Sequence, residues 1–196
     1  MATIAFMPPT EKAGALFFPH PRRLTAWTDP EPEYDCIYVV KIDDANPARF
    51  RVAVRSIPAA GINTRAQLGT THLDDADDLN RHVRTANSGR NLDLKFESKK
   101  NALVIFHLTD PNARFVENVA DSVVKNADEP GPDMFYHAEW VSGHDHKAVS
   151  VIMVGGPIGP TKRDYGLGVR LKNDDPHGPG YTTIIIDPKV ENKGDG

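Results

Sequence analysis

Phe135-Tyr136-His137-Ala138-Glu139-Trp140-Val141, then Ser142-Gly143-His144-Asp145-His146-Lys147, then Ala148-Val149-Ser150-Val151-Ile152-Met153-Val154 is the stretch that decides the fold. Apolar residues recur at every second position on both arms, which is the period of a half-buried strand and not of a helix. The six residues between the arms suit a hairpin connection. Pairing Val141 with Ala148 places Tyr136, Ala138 and Trp140 on one face with Val149, Val151 and Met153. His137 and Glu139 then share the other face with Ser150 and Ile152. The aromatic face is the expected core, and Phe135 and Ile152 are expected to be exposed.

The same period recurs outward from this hairpin. Cys36, Tyr38, Val40 and Ile42 alternate with Asp35, Lys41 and Asp43; Phe50, Val52 and Val54 with Arg51 and Arg55; and Leu92, Leu94 and Phe96 with Asp93, Lys95 and Glu97. Leu167, Val169 and Leu171 form a further run, and Tyr181 to Asp187 another. Ala102 to Leu108 is nearly continuous in apolar character, as a strand covered on both faces would be. Eight strands with turn-rich connections predict an all-β fold: an antiparallel two-sheet sandwich, immunoglobulin-like, with one or two short helices in long connections.

Those helices are expected at Leu73 to Val83, where acids open and arginines close the segment, and within Thr109 to Met134. In the second, Asp110 would cap, Pro111 would take the first helical position, and Phe115, Val119 and Val123 would share a face. Six of the 16 prolines fall in residues 1–33. Each removes a backbone donor and biases its neighbour toward extended geometry, so an extended arm is expected there, lying through its apolar residues on the domain or on a neighbouring subunit. The organisation is then 1–33 extended proline-rich arm, 34–192 β-sandwich domain, and 193–196 flexible tail.

Composition narrows the function classes. The 196 residues carry 23 Lys+Arg against 27 Asp+Glu, a net charge of −4 without the basic stripe of a nucleic-acid binder. No apolar run reaches the length of a membrane helix, and no export signal is readable, since prolines interrupt both apolar stretches of the arm. The single cysteine, Cys36, excludes an internal disulfide and a multi-thiolate zinc site, and the expected location is cytoplasmic.

The most site-like constellation is Gly143-His144-Asp145-His146, with His137 and Glu139 on the adjoining strand and His107 on another. Imidazole and carboxylate suit a divalent transition metal, so His144, His146, His137 and Glu139 are the candidate metal ligands; a solvated polar turn is the plainer alternative. Asp74, Asp75, Asp77 and Asp78 lack the glycine and distal glutamate of a calcium loop and read as helix N-terminal acids. Gly155 to Lys162 does not place glycine directly before the lysine, and a strand-like run follows it, so it is no phosphate loop. With no Gly-x-Ser-x-Gly and with Cys36 on a core face, no catalytic or cofactor-binding residues are assigned.

Tyr181-Thr-Thr-Ile-Ile-Ile-Asp-Pro-Lys-Val-Glu-Asn192 resembles the closing Asp-Pro-x-Val-x-Asn segment of small uncharacterised bacterial proteins of the DP-EP type. The resemblance covers these dozen residues, with the strand spacing of residues 35 to 190 as a companion. It implies a sandwich fold and a bacterial origin and supplies no catalytic residues. The expected function is a non-catalytic β-sandwich acting as a binding or self-assembly module, as a homo-oligomer without nucleic acid or membrane. The alternatives are a metal-binding protein or metal-dependent enzyme centred on His144 and His146, and a carbohydrate-binding sandwich using Trp140, Trp27 or Tyr165 as stacking platforms.

Overall fold

The computed structural model describes residues 21–45, 51–59, 65–68, 73, 83–85, 92–96, 100–128, 131–155, 161–172, 180–186 and 188–192. They form two β-sheets with almost no helix. One sheet runs in the order β4 (Val83–Thr85), β3 (Arg51–Pro58), β2 (Cys36–Asp44), β6 (Ala102–Leu108), β10 (Ala148–Met153), β9 (Phe135–Trp140). The other is built around β11 (Thr161–Lys172). On one side β11 pairs with β8 (Val123–Asn126) and then β7 (Ala113–Phe115). On the other it pairs with β13 (Pro188–Asn192) and then β12 (Tyr181–Ile186). β1 (Pro21–Arg23) adds to β8, and β5 (Leu92–Phe96) adds to β13. All eight expected strands are present. The pairing is not antiparallel throughout, because β2 with β6 and β5 with β13 run parallel.

The main core lies between the sheets. Tyr38, Val40, Val104, Phe106, Val149 and Val151 face Phe115, Val123, Tyr165, Leu167, Val169 and Ile184. Tyr165 is 1% exposed, and its hydroxyl accepts from the backbone N–H groups of Met134 (2.8 Å) and Phe135 (2.9 Å), which fixes the start of β9 against β11. Burial pushes its ionisation well above the ordinary phenol range.

A second apolar cluster covers the outer face of the β2–β6–β10–β9 sheet. Ile37, Val39, Leu103, Ile105 and Ile152 from the strands meet Tyr34, Ala59, Leu68 and Leu73 from the connections, with Trp27 and Tyr136 packed alongside. Alternation in β2 identifies only one inward face. The other face is also dry, because Ile37 and Val39 present apolar side chains to it and the connection after β3 and the arm lie on it.

This corrects the expected faces of the hairpin. Trp140 pairs with Val149 and Glu139 with Ser150 as expected, but the register then slips, with Tyr136 opposite Ile152 and Phe135 opposite Met153. His137 and Ala138 together stand opposite Val151, and His137 takes a left-handed φ of 47°. Such a bulge turns the strand by one residue. Phe135 enters the main core at 0% exposure, Tyr136 turns outward, and Ile152 is 0% exposed beneath the second cluster, so neither Phe135 nor Ile152 is a surface residue.

The helix expected within Thr109 to Met134 is instead β7, a 3-10 turn at Val119–Asp121, and β8. Asp110 does cap, but it caps a turn: one oxygen accepts from Asn112 N–H (2.9 Å) and the other from Ala45 N–H (3.0 Å). Phe115 and Val123 are buried because their strands pair with β11, and their four-residue spacing with Val119 reflects no shared helical face. Of the expected helix at Leu73 to Val83, residues 74–82 lie outside the described residues, as do the four aspartates, residues 1–20, residues 156–160 and the tail 193–196.

Residues 21–34 tie the two sheets together. β1 pairs with β8 in one sheet; Thr25 C=O then accepts from His137 N–H (3.0 Å) at β9 in the other. Trp27 packs edge-on against Tyr136 at 5.6 Å, and Tyr34 is buried in the second cluster. Among the described residues no helix is long and apolar enough to cross a membrane.

Candidate functional site

The β9–β10 turn is built by its own backbone. His144 N–H donates to Val141 C=O (2.9 Å), and His144 C=O accepts from both Lys147 and Ala148 N–H (2.9 Å each). Gly143 and His146 adopt left-handed φ values of 78° and 61°. Glycine takes that conformation freely, whereas for histidine it costs about 1–2 kcal/mol. Tertiary contacts hold it there: His146 C=O accepts from Phe115 N–H (2.8 Å), and Lys147 Nζ donates to the carbonyls of Asp110 (2.9 Å) and Ala113. The turn is thereby bolted to the β6–β7 connection. Partial burial draws the Lys147 ammonium below its usual range, opposed by the nearby Asp110 charge.

Two imidazoles result from this frame. His146 lies 4.9 Å from the Trp140 ring, with Nε2 at 3.9 Å from Glu117 Oε2. His144 meets His107 edge-on at 5.9 Å. His144 Nε2 and His146 Nδ1 are both buried and have no hydrogen-bond partner among the described residues. A buried polar atom left unpaired costs about 1–3 kcal/mol, so two within three residues require an explanation.

His137 and Glu139 belong to a different cluster. His137 Nδ1 accepts from Trp27 N–H (3.2 Å), which occupies one of its two ligand positions, and His137 C=O accepts from Arg65 Nη1 (2.8 Å). Glu139 Oε2 stands 3.3 Å from Arg65 Nε. Arg65 begins a 3-10 turn after β3, and Glu31 of the arm accepts from both its Nε (2.6 Å) and its backbone N–H (2.7 Å). Only 7% of the Arg65 side chain is exposed. Beside it the Tyr34 hydroxyl is buried without a partner among the described residues, and burial, reinforced by Glu31, holds its ionisation far above the ordinary range. The structure thus sends His144 and His146 to the turn and His137 and Glu139 to the arm's anchor. Among the described residues no group of three or more His, Cys, Asp or Glu side chains is placed to hold a metal ion.

No protein family and no curated protein matches this chain.

Arg65 and Glu31 carry no motif; Arg65 is the one charged residue in the run Ala59 to Leu68, which also holds the polar residues Asn63, Thr64 and Gln67, so no local pattern marks it as buried. Tyr165 is too buried to serve as a sugar platform, and Trp140 is partly buried between Phe115 and His146. Cys36 forms no disulfide and packs partly against the main core.

Proposed function

We propose that this chain is a non-catalytic, immunoglobulin-like β-sandwich that acts as a self-assembly module through its N-terminal arm. The observation that carries the reading is the docking of residues 21–34 on their own domain, by β1 pairing, the Thr25–His137 hydrogen bond and the Arg65–Glu31 ion pair. That docking makes β1 the edge strand of its sheet among the described residues, and the sequence before it carries Phe6, Met7, Leu16, Phe17 and Phe18. An apolar segment delivered at a sheet edge is matched by the equivalent edge of a second copy, since edge backbone groups and apolar side chains are satisfied together. Light scattering over a concentration series tests this. The full chain should associate with rising concentration, and a chain lacking residues 1–20, which keeps the docked arm, should stay monomeric. A full chain that is monomeric throughout, or association unaffected by the deletion, defeats the reading.

A second reading, a divalent transition metal on the β9–β10 turn, is favoured by the unpaired His144 Nε2 and His146 Nδ1. Calorimetry with zinc, nickel and copper should then show binding that a His144→Ala, His146→Ala double variant loses. Equal binding by the two proteins removes the idea.

A further inference from the structure

The outer face of the β11 sheet carries an arrangement that the assembly reading does not use. Arg170 on β11 stands directly opposite Arg114 on β7. Like charges facing each other across a strand pair repel, so the pair persists only with compensation. Tyr181 on β12 supplies part of it, with the Arg114 guanidinium 4.3 Å and that of Arg170 5.1 Å from its ring centroid. Cations over an aromatic face are attracted by its quadrupole and are held in orientation by it. Glu117 supplies the rest. Its Oε1 accepts from Arg114 Nη2 (3.1 Å) and from Arg170 Nη1, and its Oε2 points toward His146. Lys172, opposite Tyr181 on the neighbouring strand, adds an exposed ammonium to the same face.

Glu117 reaches this position because the chain after β7 lies close on β11. Val116 N–H donates to Gly168 C=O (3.1 Å), Gly168 N–H donates to Ser122 C=O (3.0 Å), and a Cβ at Gly168 would fall 2.4 Å from Asp121 C=O. The carboxylate it delivers is 64% exposed, whereas the arginines are 33% and 27% exposed. Two planar guanidiniums therefore share one exposed, singly charged carboxylate, with Lys172 on the same face, and among the described residues the cations are in excess. Arg114 Nε is in addition buried and without a partner among the described residues. Paired guanidiniums fit the oxygens of a tetrahedral dianion better than those of one carboxylate, and they bond it through charge-assisted hydrogen bonds.

We propose that Arg114, Arg170 and Tyr181 form a binding site for a small phosphate-class oxyanion, in which Glu117 is a built-in occupant that the ligand displaces. The ligand is either inorganic phosphate or the phosphoryl group of a small ester. Calorimetry on the full chain at low ionic strength, with inorganic phosphate and separately with glycerol phosphate, tests the site, with the NMR signals of Arg114 Nε–H and the Tyr181 ring followed in parallel. Glu117→Gln should tighten binding about tenfold by removing the competing charge, and Arg170→Gln should weaken it by about as much. Arg170→Lys, which keeps the charge but loses the fork, should fall between the wild type and Arg170→Gln. The tighter of the two probes identifies the source. The proposal is overturned if neither probe binds the wild type or Glu117→Gln, or if Arg170→Gln, folded by circular dichroism, binds as the wild type does. It is equally overturned if binding leaves the Arg114 and Tyr181 signals unmoved.

Discussion

Two ionic clusters in this molecule use the same groups in opposite proportion. Around Arg65, two carboxylates share one guanidinium that is almost wholly buried, and a backbone carbonyl takes a further bond. Around Glu117, two guanidiniums share one exposed carboxylate. A buried cation has lost its water and is supported only by its partners, so its contacts join the elements that supply them: the arm, the connection after β3, and β9. An exposed carboxylate retains water as an alternative partner, so its contacts contribute little to stability and can be exchanged for a ligand. Burial, more than the identity of the pair, separates an anchor from a site.

The comparison breaks first at Arg65. Arg65→Met removes the guanidinium and leaves Glu31, Glu139 and the His137 carbonyl without it. The expected loss is about 3 kcal/mol in urea unfolding, held toward the lower end of the range for breaking a buried pair because Glu139 is 54% exposed. A loss below about 0.5 kcal/mol would place Arg65 in the same class as an exposed pair. Tyr34→Phe sharpens the same region in the opposite direction. Its hydroxyl is buried without a partner among the described residues, so deleting it should raise stability by about 1 kcal/mol. A comparable destabilisation would mean that the hydroxyl is a working member of the Arg65 network. The smallest effect belongs to the exposed cluster: Glu117→Gln should shift stability by no more than about 0.5 kcal/mol, read as an unchanged urea midpoint. A loss approaching that of Arg65→Met would make Glu117 an anchor and erase the distinction.

The hairpin shows how far the strand pattern could be read. Val141 and Ala148 pair as the alternation predicts, and the register holds through Glu139 with Ser150. Beyond that point the bulge at His137 exchanges the faces, and its cause is not in the strand: the His137 N–H is bonded to Thr25, Nδ1 to Trp27 and C=O to Arg65, all distant in sequence. The histidine turn was legible as a constellation. Its division from His137 and Glu139 was not, because it follows from which backbone groups the arm captures. Asp110 illustrates the same limit, since a capping aspartate before proline serves a turn as readily as a helix, and pairing of β7 with β11 selects the turn.

Alternation of apolar and polar residues is a local property, so the sequence by itself determined that the described residues are all-β and where eight of their strands lie. Which faces became dry, where β9 slipped, and which charges met were decided only by the tertiary structure. Burial depends on what lies above a strand, and the groups that cover the outer face of the β2–β6–β10–β9 sheet come from the arm and from the connection after β3. Arg114 and Arg170 are 56 positions apart and Glu117 lies between them in sequence, yet only strand pairing places all three on one face beside Tyr181.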